Sequence, residues 1–423
     1  MIGVLTTSYP RSADDGAGVF VRERVRALLA EGHSVEILAA GARDGVSQDD
    51  GLGACRGNPD RAWRSAAGPD ARREEGEYST YSTDEQRSRR PGSARHATWS
   101  GYRDRLLVTR IAAGGLFYAG GAPEALESPG LLPKLLALGQ GARFSLTMLR
   151  HLAEQGRRWD AVESHWLMPC GLLACAALPQ LPHRAHVHGG DVFLLARLPW
   201  GDSMGRVLCR HRPTLVFAST SLRDGFSALI GCSPEALGAQ CRVAPAPFDA
   251  SVFHRRSNEE RRRLRVAFGF HSPTVIAAGR LVPIKGFDIL VAAMAQIPSV
   301  SRPVLVIAGE GPERPRLVHL AREASVRLQL TGLLGQRALA DCMAAADLFV
   351  HPCRTLDNGR SEGMPLVVRE ALACGLPVIA TASGGLGELA GTQGLTLVDA
   401  DAGTLVHAIK RALSTHQHEA GSA

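Results

Sequence analysis

Two glutamates eight positions apart, Glu362 and Glu370, stand around a helix start in the stretch SEGMPLVVREALACGLPVIAT. Pro365 suits a first helical turn, where its missing N–H is no loss. Gly375 ends the helix, and Pro377 to Thr381 runs on as a buried strand. On that pattern alone Glu370 is a solvated side chain. A second pair shifts the reading. Arg280 and Lys285 stand five apart in a glycine-flanked loop after the apolar run Thr274 to Ala278. Arginine offers a planar fork of donors and lysine a mobile point charge, which together can grip a diphosphate. Taken alone, the pair reads equally as two solvated cations in a loop. Glu362 precedes a helix N-terminus, whose free N–H groups form a natural phosphate site. A carboxylate beside a phosphate is repelled, so Glu362 is expected to meet the hydroxyls of an attached sugar. Glu370, a little over two turns on, is placed to accept hydrogen bonds from ribose hydroxyls of the same ligand. Cations for phosphates and carboxylates for diols together describe a nucleotide diphosphate sugar.

The elements that must hold these residues follow from periodicity. Ile2 to Thr6 reads as a strand, Thr7 to Val19 as a polar loop, and Val21, Val25, Leu28 and Leu29 recur at helical spacing until Gly32-His33. Ser34 to Ala40 is the next strand, which completes a βαβ unit and implies a parallel sheet. Further strands are expected at Leu106 to Val108, Ala161 to His165, His186 to His188 and Leu215 to Ala218. A second series falls at Thr274 to Ala278, Val304 to Ala308, Leu328 to Leu330, Leu348 to His351 and Pro377 to Thr381. The boundary belongs near Ala244 to Arg256, where Pro245 and Pro247 stiffen the chain. Ligands of doubly wound sheets sit at the C-terminal ends of the strands, and the residues singled out lie just after these runs.

Residues 41–104 break the pattern: Gly, Ser, Asp and Arg dominate, and the segment reads as a mobile insertion that cannot bury enough apolar surface to offset its ordering entropy. A capping subdomain around Trp63, Tyr78, Tyr81 and Trp99 is the ordered alternative. Leu131 to Leu152 reads as a helix with a kink near Gly139 to Gly141.

A chain of 423 residues is long for one core, so two domains are expected. No apolar run reaches the roughly 20 residues of a membrane span, and no signal peptide opens the chain. Nine scattered cysteines without a C-x-x-C pair argue against zinc and a disulfide framework and fit a reducing cytoplasm. The net charge of +7 suits anionic ligands or lipid head groups. No RNA-binding signature, helix-turn-helix cue or zinc-finger spacing accompanies it, and the arginines of 56–103 are mixed with acids, so nucleic acid is not expected.

Gly279-Arg280, Lys285-Gly286, Gly309-Glu310-Gly311-Pro312 and Glu362-x7-Glu370 with the following Ala371 to Val378 resemble family 4 of the retaining glycosyltransferases, the bacterial group 1 type of GT-B fold. Gly16 and Gly18 in the first loop, Gly32-His33, and Arg242 to Phe253 fit the same family. The resemblance covers almost the whole chain except roughly 41–104. It implies an α/β fold of two Rossmann-like doubly wound domains facing a deep cleft. The acceptor-side domain is expected over 1–246 and the nucleotide-sugar domain over 247–403, with 404–423 a helix and tail that packs back on the N-terminal domain.

By that resemblance Arg280 and Lys285 bind the donor diphosphate, Glu362 the transferred sugar and Glu370 the ribose. Gly16, Gly18, Gly279 and the backbone of Gly363, Met364 and Leu366 line the donor site, and the nucleobase lies near Thr331, Leu333 and Leu334. His188 matches the active-site histidine; His186, two residues earlier, is expected on the opposite strand face. His165 and Asp191 are acceptor-side candidates, with Trp166 either packing or an acceptor platform. Pro365 removes one backbone donor that many members have, so sugar specificity does not carry over. Ala246-Pro247 stands where an Asn-Gly pair is frequent.

The reaction so implied moves a sugar to a hydroxyl acceptor with retention, the leaving diphosphate helping to deprotonate the acceptor. No D-x-D motif stands in the cleft segments, so neither metal nor cofactor is expected. Leu131 to Leu152, with Lys134, Arg143 and Arg150, can form an amphipathic face for a membrane surface. This fits polysaccharide or glycolipid assembly by a cytoplasmic enzyme, peripheral at the inner face of the membrane. A helix packed on its own sheet is the plainer reading of that stretch, and a soluble acceptor such as a secondary metabolite stays open. Two other classes compete. An epimerase does not need this glutamate pair with the Arg–Lys loop. A binding protein without turnover would have lost one of Arg280, Lys285, Glu362 or Glu370.

Overall fold

The computed structural model describes residues 1–11, 15, 17–41, 45–47, 105–113 and 131–421. Gly16 and nearly all of the 41–104 segment, with both readings made of it, lie outside the described residues. Two sheets carry the chain. The first holds β1 (Ile2–Thr6), β2 (Val35–Gly41), β3 (Gly45–Ser47), β4 (Leu106–Ala112), β5 (Ala161–His165), β6 (His183–Val187), β7 (Thr214–Phe217) and β8 (Cys241–Val243), in the order β3-β4-β2-β1-β5-β6-β7-β8. Its pairings are parallel except β3 on β4. The second holds β9 (Thr274–Ala278), β10 (Val304–Ala308), β11 (Leu328–Gly332), β12 (Leu348–His351), β13 (Val378–Thr381) and β14 (Leu395–Val398), all parallel, in the order β11-β10-β9-β12-β13-β14.

Parallel strands are buried on both faces, and the side chains show it. Along β9, Val275 and Ala277 join one apolar cluster while Ile276 and Ala278 join the other. The strand period of two thus feeds two helical layers from one apolar run. The chain order reverses between β1 and β5 in the first sheet and between β9 and β12 in the second. These are the switch points at which such sheets open a crevice.

The helix α1 (Val19–Ala30) buries Val21, Val25, Leu28 and Leu29, as their spacing predicts. The next long helix, α2 (Leu131–Gln155), is one continuous helix through Gly139 and Gly141. Glycine lowers helix propensity but keeps its N–H, and only a lost bond or an inserted group forces a sharp bend. Ala137, Phe144, Met148 and Leu152 hold α2 to the core, while Leu131, Leu135, Leu138 and Leu146 stand exposed on its outer side. Three further helices matter to the site: α3 (Gly190–Arg197), α4 (Gln336–Ala345) and α5 (Leu366–Ala373).

Over its described residues the last helix, α6 (Ala402–Gly421), packs on the C-terminal domain and not, as expected, back on the N-terminal one. Leu405, Val406, Ala408 and Ile409 are buried in the C-terminal core, and α6 contacts β12, β13 and β14. The reason lies in its apolar stripe, which closes the open face beside β14 directly after that strand. Ile409→Ala should therefore destabilise the C-terminal domain by about 2–5 kcal/mol, read as a fall in the denaturant midpoint. An unchanged midpoint would show that α6 is not part of that core.

Candidate active site

On the C-terminal side, β9 ends at Ala278 and the chain turns through Gly279 and Arg280 into a short helical turn, Pro283–Lys285. Lys285 lies back across Gly279, and its ammonium meets the Glu362 carboxylate at 3.1 Å. Gly286 has φ 65°, and a Cβ there would stand 1.9 Å from the Pro352 carbonyl oxygen. Only glycine lets this turn pass so close to the loop after β12. Arg280, Lys285, Glu362, Met364, Leu366 and Glu370 all line one cleft of about 1030 Å³, together with Gly279, Leu333 and Leu334. Leu333 is 79% exposed at its mouth, whereas Thr331 is buried beneath. Gly18 stands at the start of α1, its backbone against Ser8.

The two glutamates occupy opposite electrostatic settings. Burial acts to raise the Glu362 carboxyl, but the Lys285 ammonium, with His351 and Arg360 beyond, outweighs it, and the group is held below its usual range. Burial also dominates at Glu370 and pushes it up to about 8; Arg369 opposes that shift, and the charge of Glu23 across the domain boundary adds to it. Glu362 is thus an ionised partner for a cation, and Glu370 is a carboxyl that burial on the cleft wall favours in its protonated form at neutral pH.

From the N-terminal side, β6 delivers His188 to the same cleft. Its imidazole is hydrogen-bonded to His165, Nε2 to Nδ1, at 3.0 Å. Phe20 lies 4.4 Å and Trp166 5.2 Å from the His188 ring, centroid to centroid. Burial pushes His188 down to about 3, so the ring is neutral. His186 is not on the opposite face, as expected from sequence. Its ring stacks on His165 at 4.5 Å and lies parallel to His188. A strand alternates with period two, so residues two apart share a face.

The acceptor-side candidates sit deeper than expected. His165 is 1% exposed behind His188, along a smaller cavity beside the main cleft. Asp191 is 2% exposed and spends its carboxylate on the backbone amides of Leu167, Gly189 and Val192. It therefore ties the loop after β5 to the loop after β6. Trp166 does line the main cleft.

Beneath the histidines, Glu163 accepts from Arg24, Arg184 and His186. Glu163, His165 and His186 bring ligand atoms within 4.8 Å of one another. Two guanidinium groups face the same carboxylate, however, so the set fits an ion-paired network rather than a divalent cation.

Several site residues gave no clear signal in the sequence. His351 is fully buried at the end of β12, near Lys285 and Glu362, with neither ring nitrogen paired among the described residues. Its place after an apolar strand was the available hint. Gln336, at the start of α4, lines the cleft and accepts from Arg22 of α1. The pairing joins residues 314 positions apart and has no local pattern.

The class follows first. Two parallel doubly wound sheets around a cleft at both switch points are the GT-B architecture. Sucrose-phosphate synthase from Thermosynechococcus elongatus matches it with a TM-score of 0.63 at 20% identity, over 98% of this chain and 90% of that one. Residues 272–415 match the family model described as glycosyl transferases group 1. The C-terminal part of the chain is thus a group 1 glycosyltransferase domain. The chain is also similar to the GDP-mannose-dependent monoacylated alpha-(1-6)-phosphatidylinositol monomannoside mannosyltransferase of Corynebacterium glutamicum, at 36% identity over 48% of this chain and 53% of the relative. A GDP-mannose-dependent alpha-(1-6)-phosphatidylinositol monomannoside mannosyltransferase of Mycobacterium tuberculosis is 34% identical over 59% of this chain and 64% of its own length. The similarity spans about half to two thirds of these relatives.

The raised Glu370 makes a pH dependence. An acid whose folded value is about 8 rather than 4.5 takes up a proton on folding. The unfolded chain then binds fewer protons across that window, and stability falls as pH rises through it. Relative to Glu370→Gln, the melting temperature of the wild type should decline from about pH 4.5 to about pH 8 and then level off. A difference independent of pH would contradict the protonated carboxyl.

Proposed function

We propose that the chain transfers a sugar from a nucleotide diphosphate donor to a hydroxyl acceptor, with retention at the anomeric carbon. The observation that carries this is the convergence of Arg280, Lys285, Glu362 and Glu370 on one wall of the cleft, with His188 lining it from the other domain. Arg280 and Lys285 meet the diphosphate, and the amides before α5 add the field of a helix N-terminus. Pro365, the residue capping α5, has no N–H to contribute.

Charge builds on the leaving diphosphate as the glycosidic bond breaks, and fixed cations in a closed cleft stabilise it there. The diphosphate oxygen on the same face takes the acceptor proton. In the resting chain Lys285 is paired with Glu362. Donor binding turns the ammonium towards phosphate and frees Glu362 for the hydroxyls of the sugar. Glu370 meets the ribose, and the base lies over Leu333 and Leu334. The two cations take the electrostatic role that a metal has in other sites, so turnover in chelator is expected. The similarity to GDP-mannose-dependent enzymes makes GDP-mannose the first donor to test.

In a panel of GDP-, UDP- and dTDP-sugars with EDTA present, one donor should raise the melting temperature and release nucleotide slowly. Lys285→Ala should lower that release by about 10²–10³. Glu370→Ala should weaken donor binding by roughly tenfold, the worth of one or two hydrogen bonds. Failure of every donor with folded protein would remove the reading. A strict need for added metal would remove its metal-free form.

The acceptor reading is a membrane-borne hydroxyl compound, reached by peripheral contact at the inner face of the membrane. Among the described residues no helix is long and apolar enough to cross a membrane. The exposed leucines of α2, with Arg143 and Arg150 also exposed on it, suit a helix lying on an anionic surface. Vesicles of phosphatidylglycerol and phosphatidylcholine should co-sediment the wild type but not the Leu135→Glu/Leu138→Glu variant. Equal sedimentation of both would favour a soluble acceptor.

A further inference from the structure

We propose that His165 is a positioning residue that fixes His188 in one orientation and one tautomer, donating from its Nδ1–H to Nε2 of His188 and leaving His188 with its own proton on Nδ1. This rests on the glycosyl-transfer reading above only for its kinetic consequence; the tautomer itself is a property of the free chain.

The case is an inventory of ring nitrogens. His165 is buried and His188 is half-buried on the wall of the cleft, and desolvation holds His165 well below its ordinary value and pushes His188 down to about 3. Each neutral ring therefore carries one proton, and the 3.0 Å bond between them holds one proton of the two. Two arrangements satisfy this. In the first, His188 donates, and His165 then keeps a proton on Nε2. That nitrogen is buried and has no hydrogen-bond partner, so the arrangement leaves an orphaned N–H. In the second, His165 donates and Nε2 is a bare lone pair. Orphaned buried N–H groups are rarer than under-satisfied acceptors, which selects the second arrangement.

The surroundings leave the pair little room to reorganise. His165 is stacked on His186 at 4.5 Å with 8° between the planes. His186 is itself held by Glu163 at 3.1 Å. Phe20 packs on His188 from the other side, and Asp191 binds the amides of Leu167 and Gly189, which follow the two strands. A neutral histidine whose neighbours dictate one nitrogen has the other nitrogen set as well.

The consequence is chemical. With Nε2 occupied by His165, Nδ1–H is the group His188 can offer to a ligand in the cleft, and it is a donor. His188 then supports an oxygen of the transferred sugar by hydrogen bonding and does not act as a base on it. That agrees with a reaction in which the leaving diphosphate takes the acceptor proton.

The test uses the full chain labelled with 15N-histidine and two-bond 15N–1H correlation spectra, with His188 assigned by its loss in His188→Gln. The wild type should show His188 protonated on Nδ1 and bare on Nε2. His165→Asn, whose amide N–H stands near the former Nδ1–H, should preserve that pattern; His165→Leu should give mixed tautomers. With GDP-mannose as the donor probe, His165→Leu should lose about 10- to 100-fold in kcat, the cost of a misplaced group, with KM within about twofold. His165→Asn should recover most of it. A wild-type His188 protonated on Nε2 would overturn the proposal. So would a His165→Leu protein that keeps one tautomer and full turnover, or a kcat loss that Asn does not rescue. Should no donor turn over, the spectra alone decide the tautomer, so failure of the transfer reading and failure of this inference are separable. Should the Leu variant not fold, the wild-type and Asn spectra carry the test.

Discussion

The close backbone approach between the loop that carries Glu362 and the loop that carries His188 organises the rest of the molecule. A Cβ on Gly363 would stand 2.8 Å from the His188 carbonyl oxygen, and one on Gly385 would stand 2.0 Å from the Gly363 carbonyl oxygen. Three backbone segments from two domains thus meet at these glycines, with Ser219 and Leu222 packed beside them. Any larger residue at Gly385 would push the loops apart and carry Glu362 away from Lys285 and the cleft. Other cross-domain contacts reinforce the same closure. Glu388 accepts from the amides of Thr220 and Ser221 at 2.8 Å each, a C-terminal carboxylate capping an N-terminal-domain helix. Arg26 reaches Asp249 at 2.9 Å, and Arg369 reaches the Ala246 carbonyl in the connecting segment.

Within that frame, burial sets the charge state of each group by what stands beside it. Three glutamates show the range. Glu163 has two arginines and a histidine, and Glu362 has a lysine; both are held ionised against the cost of burial. Glu370 has only Arg369 in its favour and Glu23 against it, and burial wins. His165, His188 and His351 follow the same rule from the other side, burial pushing each below its ordinary value even where a carboxylate opposes it. A ligand entering this cleft therefore meets an ionised Lys285–Glu362 pair beside a carboxyl raised by burial.

The architecture was largely legible in the residues. Short apolar runs marked β9, β10 and β12, because a strand buried on both faces has no polar alternation to hide it. The donor-side residues were legible for a related reason: Arg280 and Lys285 follow β9 and Glu362 lies in the loop after β12, where topology puts ligands, with Glu370 inside the helix α5 that follows. The failures share one cause as well. The docking of α6 and the depth of His165 and Asp191 depend on what packs against each element, and neighbours distant in the chain leave no local period. The face of His186 was a different matter, since the period of two in a strand already decides it.

What the sequence determined by itself is the set of chemical groups and their order along two βα series, since propensity, periodicity and turn chemistry act over a few residues. What only the tertiary structure decided is which groups share an environment. That Lys285 stands against Glu362, that Glu23 raises Glu370 across a domain boundary, and that His165 reaches His188 through a 3.0 Å bond are facts of packing. Coulombic and hydrogen-bonding energies fall steeply with distance and depend on burial. Both are set by the folded backbone and not by spacing along the chain.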